Sequence, residues 1–361
     1  MKVSNNMELY KSVSLKEGAE LVHRIGDVDT TLFQGEMGIG KSSMLKMLAK
    51  MNPDHHICYV DMTTKDVGDF LIPKIRTLNG VEVCSFIPNE EFGFHTGKPV
   101  IVMLDEIGKC GKAVFNACLR IMQEHGLGVH DFPEGSKIFA TTNLAVEGVG
   151  DLLPPHGRNR LVVVKIRKPS ADEWIEWALD NDVAPEVIMT VKEFPQMLAS
   201  FEDYTDPKDN EYINDPRTPR PAFVTPRSLE KASNIIKKTQ GMPEDVIGCA
   251  IKGTIGARAC YDMLNIVKLS SDLPSWDSIM ADPMKAQIPA SPAAVCMLVY
   301  SAVQRVEKDT INKWIKYMGR ISKEAQGLFA TSVMRTGKKS VVGTSTEFVK
   351  WATANNYLFA Q

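Results

Sequence analysis

The residues best suited to chemistry lie in two short runs, Gly35-Glu36-Met37-Gly38-Ile39-Gly40-Lys41-Ser42 and Asp105-Glu106. The first has the spacing G-x-x-x-x-G-K-[ST] of a phosphate-binding loop. Glycines at 35, 38 and 40 let the backbone turn on itself and offer N–H groups to anionic oxygens with no side chain in the way. Lys41 is placed to reach the β- and γ-phosphates of a nucleotide, and the Ser42 hydroxyl to ligate Mg²⁺. A helix opening at Ser43 adds its positive N-terminal end, which extends the candidate nucleotide-binding segment to Ser43. In the second run, Asp105 is the candidate that orients the Mg²⁺ shell, and Glu106 the candidate that polarises an attacking water. An Asp-Glu pair after a strand can also cap the next helix. Its place about 65 residues beyond a phosphate loop favours the chemical role.

These residues need particular elements to hold them. The apolar, β-prone run Thr31 to Gln34 precedes the loop, and Ser43 to Ala49 follows with helical periodicity, so the loop joins strand to helix. Val100 to Leu104 is continuously apolar, which predicts a strand buried on both faces in a parallel sheet, with Asp105 and Glu106 at its C-terminal end. Ile57 to Val60, Lys137 to Thr142 and Leu161 to Ile166 read as further strands, the last also of the buried type. Asn143 follows the second of these; it either begins a turn or fixes the water near the γ-phosphate. Residues 13 to 25 carry a helical stripe that Gly26-Asp27 ends. Asp66 to Gly97 is too long for a plain connection and reads as an insertion with a short helix near Phe70, and His125 to Ser136 as a hairpin or extended loop. After Lys168-Pro169-Ser170 the chain turns helical, with Trp174 and Trp177 as core, a proline-dense loop from Thr205 to Pro221, and a helix restarting at Thr225-Pro226-Arg227.

The 361 residues suffice for two or three domains with proper cores. A net charge of -2 indicates no basic field for nucleic acid or for an anionic membrane. Seven cysteines, odd in number and without C-x-x-C pairs, read as free thiols in a reducing cytoplasm and not as a zinc site. The first residues lack the apolar core of a signal peptide, and the longest uncharged stretch, Ala286 to Gln304, is broken by Pro289 and Pro292, so no membrane span is expected.

The phosphate loop, the strand ending Asp105-Glu106, the strand ending Asn143, the segment Gly157-Arg158-Asn159-Arg160 and the helix start Pro226-Arg227 follow one another as in AAA+ ATPases, which the chain resembles. Met122-Gln123-Glu124-His125 and Asn143-Leu144-Ala145-Val146-Glu147-Gly148 resemble the MoxR branch, whose stand-alone members also occur in bacteriophages. The resemblance covers residues 13 to about 260, and residues 270 to 361 match no pattern. It implies Asn143 as the sensor 1 residue, Arg227 as the sensor 2 residue, and Arg158 or Arg160 as the finger that enters a neighbour's site. It also implies a helix-2 insert at 66 to 97 and a pre-sensor hairpin at 126 to 136, both facing a ring's pore. The MoxR pattern continues Asp-Glu with Ile-Asn-Arg, and this chain departs from it with Ile107-Gly108-Lys109.

The fold class expected is therefore α/β, a P-loop NTPase parallel sheet of the AAA+ kind at 1–168, then an α-helical lid at 169–268 and a helical C-terminal extension at 269–361. The function expected is ATP hydrolysis with Mg²⁺ in a homo-oligomeric, hexameric ring that remodels a protein partner. The resemblance suggests a von Willebrand factor A-domain protein as that partner. A nucleotide-gated DNA-binding factor is the alternative, for which Lys231, Lys237 and Lys238 are the nearest approach to a basic stripe. A small-molecule kinase is a third reading; it needs neither finger arginine nor helical lid.

Overall fold

The computed structural model describes residues 11–147, 159–206 and 208–359. The chain divides into two compact units, one ending at Lys168 and the next starting at Pro169. In the first unit the strands are β1 (Thr31–Gln34), β2 (His56–Asp61), β3 (Leu71–Leu78), β4 (Val81–Pro88), β5 (Val100–Asp105), β6 (Gly126–Leu127), β7 (His130–Asp131), β8 (Lys137–Thr142) and β9 (Val162–Lys165). Among the described residues its α-helices are α1 (Leu15–Ile25), α2 (Ser43–Met51) and α3 (Lys112–Glu124).

Five strands form one parallel sheet in the order β2-β5-β8-β1-β9. Every residue of β5 is buried, and the period-2 alternation of a strand divides its side chains between two cores. Val100, Val102 and Leu104 join Val114, Phe115, Cys118 and Ile121 of α3 on one face; Ile101 and Met103 join Val22 of α1 and Met44 and Leu48 of α2 on the other. Full burial of each such side chain contributes about 1.5–3 kcal/mol, so β5 is pinned in register by both faces at once. Helix α1 starts at a capping box, in which Ser14 Oγ accepts from the Glu17 N–H at 3.2 Å and Glu17 Oε2 accepts from the Ser14 N–H at 2.8 Å.

Two expectations change. The helix expected near Phe70 is only a 3₁₀ turn, Val67–Asp69, and the insertion is instead an antiparallel ribbon of β3 and β4, each eight residues long. Asn79 and Gly80, with φ of 53° and 80°, make the turn that joins them, and Asn-Gly is a strong hairpin signal in sequence. The strand at 162–165 is no buried strand either: among the sheet's strands β9 pairs with β1 alone, its other side meets only a bridge from Val13 at Ile166, and Val163 is 43% exposed.

The second unit is helical among its described residues. Ala171–Asp180 begins at a capping box of Ser170 and Glu173, and Trp174 is buried against Ile175 and Ala178 of the same apolar face. Pro226–Lys238 begins at Thr225, whose side chain accepts from the Ser228 N–H. Toward the C-terminus Trp314 is fully buried and packs its ring against Trp276, Tyr317 and Phe329 at centroid distances of 5.8, 5.5 and 5.5 Å. Among the described residues no helix is long and apolar enough to cross a membrane.

Candidate nucleotide site

The loop after β1 and the residues that end β5 and β8 meet at the C-terminal edge of the sheet, the edge where parallel sheets place ligands. Strand β8 lies between β1 and β5, so its end faces the phosphate loop on one side and the Asp-Glu pair on the other. Gly38 and Gly40 have φ of 72° and 96°, which residues with a Cβ rarely adopt. These turns carry the chain back over β1 and into α2.

Lys41 is buried, yet its ammonium is satisfied. It donates to Gly35 O at 2.9 Å, to Glu36 O at 3.1 Å and to Asn143 Oδ1 at 2.7 Å. Asn143 is thus tied to the loop lysine, a link across 102 positions of chain. Ser42 occupies an N-cap position without capping α2; its hydroxyl lies 3.4 Å from Asp105 Oδ2. Asp105 is held from two further sides, by the Tyr59 hydroxyl at 2.8 Å from Oδ2 and by the Thr141 hydroxyl on Oδ1. Two oxygens in adjacent positions of an octahedral Mg²⁺ shell stand about 2.9 Å apart, so the Ser42 and Asp105 pair, both hard oxygen donors, fits that ion with a small adjustment.

Glu106 takes the left-handed conformation, φ 58°, an uncommon state for a residue with a Cβ and one found at functional sites. Its N–H lies 3.4 Å from Thr141 Oγ1, and its Oε2 lies 3.1 Å from Lys109 Nζ. Lys109, one of the two positions that depart from the MoxR pattern, therefore faces the candidate base.

The site includes residues to which the sequence reading gave no role in it: Tyr59, Thr141, Lys109, Lys168 and Glu147. Buried Lys168 Nζ lies 3.9 Å from Glu36 Oε2, at the end of the first unit. Both oxygens of Glu147 accept from the Met37 N–H, at 3.2 and 3.1 Å. Burial pushes the Glu147 carboxyl pKa up, the Met37 bond draws it down, nearby Glu36 raises it and Lys41 lowers it. The Thr-Thr-Asn ending of β8 was a usable signal for Thr141 and the Asn143 to Gly148 stretch one for Glu147; a lone Tyr in β2 carried none.

Arg160 stands apart from this cluster. Arg160 is exposed, donates to Gln123 Oε1 at 3.2 Å, and precedes β9, so it belongs to the N-terminal edge of the sheet, opposite the phosphate loop. Arg158 lies outside the described residues. Arg227 is exposed in the first turn of Pro226–Lys238 and belongs to the second unit.

No protein-family model and no curated protein matches the chain. Solved structures similar to it include two RuvB mutants of Thermotoga maritima. One is 14% identical, with 86% of this chain and 91% of that one covered and a TM-score of 0.37. The other is 13% identical, with 83% of each chain covered and a TM-score of 0.37. NtrX from Brucella abortus, solved in complex with ADP, is 12% identical over 96% of this chain and 69% of its own, with a TM-score of 0.39. Likeness at this level transfers no residue's role to this chain, whose fold class is stated by its own five-stranded parallel sheet, phosphate loop and following helices.

Proposed function

We propose that this chain is an ATP-hydrolysing AAA+ protein of the MoxR type that works in the cytoplasm as a homo-oligomeric, hexameric ring and remodels a protein partner of the von Willebrand factor A-domain kind. The observation that carries the ATPase part is the convergence of Lys41, Ser42, Asp105, Glu106 and Asn143 at one edge of the sheet, with Lys41 bonded to Asn143 and Ser42 beside Asp105. The MoxR, ring and partner parts rest on the order and wording of the sequence motifs.

In this reading the N–H groups from Gly35 to Ser43 cradle the phosphates and Lys41 bonds the β- and γ-phosphates. Ser42 and Asp105 hold Mg²⁺, which when bound neutralises charge on the phosphate oxygens. Glu106 accepts the proton of the attacking water, and Asn143 orients that water beside Lys41. Thr141 and Tyr59 keep Asp105 aimed at Ser42. Arg160, at the opposite edge of the sheet, has no path to its own loop, so it and Arg158 act on a neighbouring subunit. Residues 169–268 form the lid that presents Arg227 as sensor 2, and residues 269–361 form a helical extension of that lid.

The test uses Glu106→Gln and the double variant Arg158→Ala, Arg160→Ala. Glu106→Gln should bind ATP as the wild type does and lose on the order of 10²–10⁴-fold in hydrolysis, since an amide keeps shape but takes no proton. The arginine variant should bind ATP, hydrolyse it poorly, and regain activity when mixed with Lys41→Ala subunits that carry intact arginines. Wild-type turnover in Glu106→Gln rejects the assigned base. Strictly linear activity with protein concentration and no recovery on mixing reject the shared site.

A further inference from the structure

We infer that Glu147 is a specificity-determining residue of the phosphate site, whose carboxylate holds the Met37 N–H in competition with the γ-phosphate and so separates ATP from ADP. This rests on the nucleotide reading above. Glu147 closes the short 3₁₀ turn Ala145–Glu147, just beyond Asn143. Its two oxygens share one loop N–H, from Met37, at 3.2 and 3.1 Å. A carboxylate there offers the same charge and the same acceptor chemistry as a phosphate oxygen.

The location identifies which phosphate is affected. Lys41 reaches for the β- and γ-phosphates, and its Nζ lies 2.7 Å from Asn143 Oδ1, so Asn143 marks the γ end of the loop. Glu147 stands one short turn beyond that mark, on the N-terminal side of the loop, away from α2 and the N–H groups that take the α- and β-phosphates. The charges that act on Glu147 are Glu36, which disfavours its ionised form, and Lys41, which favours it. A third phosphate adds negative charge next to a half-buried carboxylate and asks for the same lysine, and repulsion between the two is stronger there than in bulk water. ADP ends before that contact. Binding of ATP therefore displaces Glu147 and its turn, and binding of ADP leaves them in place.

The experiment measures the Kd of a non-hydrolysable ATP analogue and of ADP, each with Mg²⁺, on the full chain and on Glu147→Gln and Glu147→Ala. Glu147→Gln keeps the shape and an acceptor for Met37 but removes the charge. The analogue should bind on the order of tenfold tighter to both variants, with ADP affinity changed by less than about threefold. Thermal melts establish that the variants are folded, and the ratio of the two affinities is a readout that a purely structural role leaves unmoved. An unchanged ratio in folded variants, or weaker binding of the analogue, overturns the inference and leaves the nucleotide reading intact. Binding of neither nucleotide by the wild type overturns that reading, and the inference with it.

Discussion

The two units handle buried polar groups in different ways. In the first, Glu36, Lys41, Asp105, Thr141 and Asn143 are buried together at one edge of the sheet and bond or pair largely with one another and with the loop backbone. In the second, buried polar side chains such as Asp262 and Gln326 are dispersed and paired separately. Asp262 takes the Tyr212 hydroxyl at 2.8 Å and Arg258 at 3.0 Å; Gln326 donates to Ile321 O at 2.9 Å and accepts from Trp351 Nε1 at 3.0 Å. Buried polar residues are costly and need partners, so dispersed pairs each secure one join between segments. A cluster that concentrates a lysine, two carboxylates, a hydroxyl and an amide around a glycine loop is poorly explained as a device for packing. The contrast separates a site from a scaffold without any reference to motif.

Substitutions in the two places should separate as well. Lys41→Ala has the largest expected effect: it removes the loop's side-chain cation, and nucleotide binding measured by calorimetry should be lost while the chain still folds. Retained affinity would break the comparison at its first unit. Trp314→Ala should act the other way. It empties a fully buried aromatic position in the second unit, and denaturant melts should record a loss of about 3–5 kcal/mol. Nucleotide affinity measured below its melting temperature should stay that of the wild type, and a fall in affinity would tie the helical core to the site. The smallest effect is expected from Ser170→Ala, which removes one cap from the first helix of the second unit and should cost about 1 kcal/mol in the same melts, with nucleotide affinity unmoved.

Features whose partners are close in sequence were legible before any coordinates. The helix after Ser170 opens where the Lys168-Pro169-Ser170 boundary marked it, and the loop from Gly35 to Ser42 is specified by glycines that its own backbone requires. The Val100 to Leu104 run announced a strand buried on two faces because five successive apolar residues leave no solvent side. Where the reading erred, a local signal was overruled or overlooked. The segment after Asp66 folds as a ribbon because Asn79-Gly80 adopts positive φ at both positions. The apolar run at 161 to 166 read as a strand of the buried type; β9 lies at the edge, since nothing in its own residues states how many neighbours it has.

What the sequence by itself determined was therefore the inventory: a phosphate loop between strand and helix, a carboxylate pair after a buried strand, an Asn after another, and helices beyond Ser170. The tertiary structure alone decided the company these residues keep. Strand order is set by the packing of whole faces against α1, α2 and α3, and no short window of residues records it. Only because β8 inserts between β1 and β5 does Asn143 reach Lys41 and Thr141 reach Asp105. Glu147 meets Met37 across 110 positions for the same reason: a hydrogen bond acts over about 3 Å, and which distant groups come that close is settled by burial of apolar surface elsewhere in the unit.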